Sequence, residues 1–186
     1  MSITKNIRTV LGRRKFRREL QSLKREPQSV SFDEANNIGI VYDATNERDS
    51  ETVKNYMKNI RSSFKKDIVA IGYVDKKKLA NSQYAQFGLD FFSQKDLNFK
   101  MIPVSPVVKN FINEKFDILI NISATRSLPL IYISALSKAR FKVGTFTNSS
   151  SDGLDMMVKV NGEASVKTIL EEIEHFLRII RKNESK

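Results

Sequence analysis

The sequence predicts an α/β fold: a single Rossmann-like domain of three layers with a mostly parallel sheet, preceded by a basic amphipathic N-terminal helix. Three observations carry this. The runs IGIVY (38–42), IVAIGYV (68–74) and FDILINI (116–122) have the near-continuous hydrophobicity of strands covered on both faces. The segments between them repeat apolar residues at three and four positions, the helical period. Strands alternating with helices imply parallel pairing through right-handed crossovers.

The elements follow in order. Residues 3–26 have helical composition, but their apolar stripe changes sides. Ile3, Ile7, Val10 and Leu11 share one face, while Phe16, Leu20 and Leu23 lie nearly opposite. A straight helix would bury opposite faces in its two halves, so a bend is expected at Gly12. Pro27 ends the segment, dividing the chain into a basic helical part, 1–27, and an α/β domain, 28–186.

After the first strand, Asp49 or Ser50 is expected to cap a helix whose inner face is Val53, Tyr56, Met57, Ile60 and Phe64. The second strand ends at Asp75 and a lysine cluster. Residues 77–87 read as loop, and Leu89–Phe92 as a short third strand. Ser105 before Pro106 marks a helix start, with Val107, Val108, Phe111 and Ile112 facing inward. Beyond the 116–122 strand, Ser127 is expected to cap a helix with Leu128, Ile131, Tyr132, Ala135, Leu136 and Ala139 facing inward. Phe141–Phe146 is the next strand, 148–153 a polar loop, and Met156–Val160 a last short strand. The closing helix keeps helical spacing through Val166, Ile169, Leu170, Ile173, Phe176, Leu177 and Ile180.

Composition excludes several chemistries. With no cysteine there is no disulfide, thiolate metal site or cysteine nucleophile. The one histidine, His175, sits among Glu171, Glu172, Glu174 and Arg178 and reads as a surface residue. Neither GxGxxG nor GxxxxGK[ST] occurs, which disfavours the usual dinucleotide and P-loop sites. No catalytic set, metal site or cofactor is indicated. No apolar run is long enough to span a bilayer, and no apolar signal-peptide core follows the basic start, so a cytoplasmic location is expected.

In an open parallel sheet, ligands bind beyond the carboxyl ends of the strands. Asp43, Thr45 and Asn46 follow the first strand, Asp75 the second, and Ser123, Thr125 and Arg126 the 116–122 strand. Carboxylates, hydroxyls and an arginine there could hold a sugar or nucleotide. Equally, strand ends are polar because loops are solvated and because Asp and Ser cap turns.

Charge is the more informative feature. The chain carries 32 Lys and Arg against 21 Asp and Glu, a net +11. Residues 1–27 hold nine basic residues against Glu19 and Glu26, hence +7. Arginine outnumbers lysine there, which suits forked contacts to phosphate. Arg13, Arg14, Lys15, Arg17, Arg18, Lys24 and Arg25 are the expected contacts to RNA, with ribosomal particles as the expected partner and no sequence readout of DNA. An anionic membrane surface, with Ile3, Ile7, Val10 and Leu11 inserted, is an alternative. So is simple packing on the α/β domain, with the charges left to solvent. Oligomeric state is not indicated.

Two resemblances accompany these readings. RRELQSLKRE (17–26), DEANNIGIVYDAT (33–45), GYVDKK (72–77), LDFFSQKDLNF (89–99), FINEKFDILINIS (111–123) and LPLIYISALSKARFKVG (128–144) resemble a family of uncharacterised bacterial proteins, a domain of unknown function. That resemblance spans the chain and implies no reaction. Over about thirty residues, FDILINIS through ARFKVG is similar to heptosyltransferase-like glycosyltransferases. Those enzymes use two Rossmann-like halves and this chain has room for one, so the similarity implies fold, not glycosyl transfer.

Overall fold

The computed structural model describes residues 3–123, 127–146, 153–160 and 165–180. Its strands are β1 (Asn37–Asp43), β2 (Asp67–Val74), β3 (Leu89–Ser93), β4 (Ile118–Asn121), β5 (Phe141–Thr145) and β6 (Met156–Val158). They form one open sheet in the order β3-β2-β1-β4-β5-β6, with every neighbouring pair parallel. The helices are α1 (Ile3–Ser22), α2 (Glu47–Phe64), α3 (Pro106–Asn113), α4 (Leu128–Leu136) and α5 (Val166–Ile179). The expected α/β Rossmann-like fold is the fold observed.

Strand alternation sorts the core into two faces. Ile38, Ile40 and Tyr42 of β1 point to the side covered by α2 and α5, against Val53, Met57, Ile60, Ile169, Ile173 and Leu177. Val41, Ile71, Tyr73 and Leu119 point to the opposite side, against Val108 and Phe111 of α3 and Leu130 and Ile133 of α4. Both faces are covered, which is why the strands read as unbroken apolar runs.

Helix α4 is apolar almost all round, because it is covered twice. Leu130 and Ile133 face the sheet. On its outer side Ala135 and Leu136 pack with Phe16 of α1, whose ring lies 6.2 Å from that of Tyr132. The N-terminal helix therefore docks as a further layer outside α4.

Several local expectations are corrected. Helix α1 runs unbroken through Gly12. A Cβ at Gly12 would lie 2.2 Å from the Lys100 carbonyl oxygen and 2.8 Å from Leu128 Cδ2, so this glycine permits close approach rather than a bend. The same helix stops at Ser22, short of Pro27. The chain then runs on without regular structure, and the Gln28 N–H donates to the Arg140 carbonyl at 3.0 Å. Finally, α2 begins at Glu47. Asn46 caps it, its side chain accepting from the Arg48 N–H at 3.2 Å, while Ser50 is buried inside the first turn. Ser105 and Ser127 do precede their helices, with proline at the start of each, but neither side chain makes a capping bond. Phe176 is exposed on α5, against the edge of His175. Most of the polar loop 148–153 lies outside the described residues.

Candidate functional site

Strand order reverses between β1 and β4, which lie side by side and parallel in the middle of the sheet. The crevice beyond their carboxyl ends is the place where such folds bind ligands. Val41 pairs with Asn121, so Asp43 and Ser123 emerge next to each other there. Thr125 and Arg126 lie outside the described residues.

Asp43, Thr45 and Asp75 are brought together, and they bond to one another. Asp43 Oδ1 accepts from the Thr45 N–H at 2.9 Å. Thr45 Oγ1 accepts from the Asp75 N–H at 2.9 Å. Asp75 Oδ1 accepts from the Tyr73 hydroxyl and from Gln94 Nε2, both at 2.9 Å. The Ser123 N–H donates to Asn121 Oδ1 at 2.9 Å, and its carbonyl accepts from Thr145 Oγ1 at 3.2 Å. Burial, then the Asp75 acceptor and its charge, hold the Tyr73 phenol well above its ordinary range. The cluster thus works as a brace between the β1 and β2 loops.

The start of α2 is also unlike a phosphate cradle. Asp43, Glu47 and Asp49 surround it, and Asp49 is pushed up by burial and by the charge of Asp43. A pyrophosphate there would meet three carboxylates where the helix dipole would otherwise favour it.

The basic face of α1 is differently made. Several cations of the N-terminal segment are turned to the protein. Arg8 Nε donates to the Phe99 carbonyl at 2.8 Å, with its guanidinium over the Phe99 ring. Lys15 pairs with Glu19 at 3.1 Å, and Glu19 also accepts from the Tyr132 hydroxyl at 2.6 Å. Arg25 is held in the domain, donating to the Ala139 carbonyl at 2.6 Å, the Arg140 carbonyl at 2.9 Å and the Asp155 carboxylate. It lies beyond the end of α1 and away from its outer face.

Arg13, Arg14, Arg17 and Arg18 remain. All four are exposed on α1, and none bonds or pairs with another described residue; the same holds for Lys24, beyond the helix end. Arg13 and Arg17, and Arg14 and Arg18, stand one turn apart. Like charges at this spacing destabilise a helix by about 0.2–0.5 kcal/mol per pair. The docking of Phe16 on α4 holds the stripe outward. Ile7 and Val10 continue the outer surface, 53% and 57% exposed.

Sequence reasoning missed the roles of Arg25 and Asp155, whose partnership joins distant parts of the chain. It also missed two cavities, of about 630 and 410 Å³, at the other end of the sheet near the strand amino ends. Among the described residues no group of His, Asp and Glu is placed to hold a metal ion. No described helix is long and apolar enough to cross a membrane.

Comparisons with known proteins are silent on activity. A family described as "Family of unknown function (DUF6913)" matches residues 8–180. No curated protein matches. Among solved structures, S. aureus homoserine dehydrogenase is similar in determinations at four pH values. At pH 6.0 the identity is 14% and the TM-score 0.34, covering 59% of this chain and 26% of that one. At pH 6.5 and 7.0 the identity is again 14%, with TM-scores of 0.37 and 0.38, covering 65% of this chain and 31% of the other. This chain thus spans under a third of those dehydrogenase chains, and a likeness of this size carries no activity across. These structures are not heptosyltransferases.

Proposed function

The chain belongs to that family of unknown function, DUF6913, and from its residues we propose that it is a non-catalytic RNA-associating protein, with ribosomal particles as the RNA it meets. The carrying observation is the outward stripe of Arg13, Arg14, Arg17 and Arg18 on a helix whose other face is docked. No carboxylate enters this stripe, because Glu19 is turned to Lys15 and Tyr132. One helical turn separates successive arginines by about 6 Å along the axis, comparable with the distance between neighbouring phosphates on one strand. Guanidinium groups in that row suit backbone contacts that fix position without reading sequence.

Ile7 and Val10 are the exposed aliphatic side chains on that surface among the described residues. The test is sedimentation of cell lysate through a sucrose gradient at low and high salt. The expected result is salt-sensitive migration with ribosomal particles, lost when Arg14, Arg17 and Arg18 are all changed to Glu while circular dichroism stays native. Unchanged migration of that variant would overturn the proposal.

A further inference from the structure

The larger cavity lies between α3 and the sheet, beside β2 and β3, at the end opposite the switch-point crevice. Its volume is about 630 Å³. Val107, Asn110, Phe111 and Glu114 line it at helical spacing along one side of α3. Val69 of β2 and Phe116 add apolar surface. Helix α3 has only eight residues, too few to cover the edge of the sheet, and this leaves the space open.

Charge in the cavity is arranged lengthwise. Asp67 opens β2 and pairs with Asn37 of β1, and Glu114 is beside them, accepting from Asn37 Nδ2 at 3.3 Å. Asp90 pairs with Ile71, four residues further along β2 than Asp67. That offset is about 13 Å along the strands. Carboxylates therefore stand at both ends of an apolar trough, with Val69, Val107 and Phe111 between them. Arg61 contributes a cation at the mouth, but its Nη2 is occupied by the carbonyls of Ile68 and Phe87. Gly88, at φ 72°, leaves room for that guanidinium, since a Cβ would lie 2.6 Å from Arg61 Nη2.

We propose that this trough binds an elongated aliphatic diamine or polyamine, one ammonium group at Asp90 and the other at Asp67 and Glu114, with the methylene chain along Val69, Val107 and Phe111. Asp90 accepts no hydrogen bond from any described residue, and burial holds its carboxyl above the ordinary range. A bound ammonium would supply the partner it lacks. The positive charge on α1 does not forbid this, because interactions between exposed charges are screened over about 8 Å at physiological ionic strength.

The test uses RNA-free full chain and diaminooctane, a straight chain with an amine at each end. Octylamine, with a single amine, is the control. Amide NMR shifts are followed on titration to about 1 mM ligand. The expected result is saturable shifts clustered at Val69, Asp90 and Phe111, with diaminooctane binding about tenfold tighter than octylamine. Asp90→Asn should remove that tenfold preference, and its fold should survive because Asp90 holds no other group. Glu114→Gln, on the exposed rim, should reduce the preference as a second, independent variant. No shifts at those positions, equal binding of the two amines, or an unaltered preference in Asp90→Asn would each overturn the proposal.

Discussion

Arg25 and Asp155, 130 residues apart in sequence, form a two-pronged ion pair that pins the crossing segment after α1 to the residue just before β6. The pair is knitted into the backbone. Arg25 also donates to the carbonyls of Ala139 and Arg140, and Asp155 also accepts the Lys142 N–H at 2.8 Å. Both side chains are largely withdrawn from solvent, so removing one leaves the other desolvated without its counter-charge. Arg25→Ala and Asp155→Ala should each lower stability by about 3 kcal/mol, read from urea unfolding. A loss below about 0.5 kcal/mol would place the pair with ordinary surface bridges.

Gly12 makes a prediction of unusual sign. On an exposed helix, Gly→Ala stabilises by about 1 kcal/mol. Here the new methyl would meet the Lys100 carbonyl, which is backbone and cannot swing aside. Gly12→Ala should therefore destabilise by about 1–3 kcal/mol, through separation of α1 from α4. A stabilised variant in thermal melting would show that α1 is not docked as described.

The fold was legible in the sequence because burial on both faces writes itself as unbroken apolar runs, and IGIVY, IVAIGYV and FDILINI all became neighbouring strands. The docking of α1 was legible too, though in the wrong place to look. LPLIYISAL of α4 has no polar side wide enough for solvent, and a helix apolar all round must be covered all round. The end of α1 at Ser22 was not legible, because what draws the chain away is Asp155, far along the sequence. Asp43, Thr45, Asp75 and Ser123 do lie beyond the strand ends, yet the bonding at Asp75 depends on Gln94 returning beside it after β3, which no local pattern announces. The trough beside α3 was invisible because only strand register sets Asp67 and Asp90 at the two ends of one groove.

Lys142 is 1% exposed, with Nζ donating to the Ala135 carbonyl at 2.5 Å. Burial, aided by the charge of Arg25 and opposed by Asp155, pulls it down to about 7. Between that value and its ordinary range the unfolded chain binds the proton and the folded chain does not, so stability rises with pH. Below about pH 7 both states carry the proton and the full cost of the buried charge is felt. The melting temperature should climb from about pH 7 to 9, before the unfolded tyrosines begin to ionise. In Lys142→Met that climb should shrink markedly. An equal climb in both proteins would mean the lysine stays charged in the fold.

The arginine stripe predicts a number as well as a direction. Each phosphate neutralised on a single strand contributes about −0.7 to the slope of log K against log salt. Replacing Arg14, Arg17 and Arg18 by Gln removes three candidate contacts, so the slope measured on a short single-stranded RNA should become shallower by about 2. Arg25→Ala supplies the internal control. Its guanidinium is committed to Asp155 and two carbonyls, so it should lower stability while leaving the slope unchanged under conditions where the variant is folded. The two experiments separate electrostatic contact from structural support: one set of arginines should move the salt slope and not the unfolding midpoint, the other the midpoint and not the slope. If Arg25→Ala alone changed the slope, the RNA-facing surface would lie at the crossing segment rather than on α1.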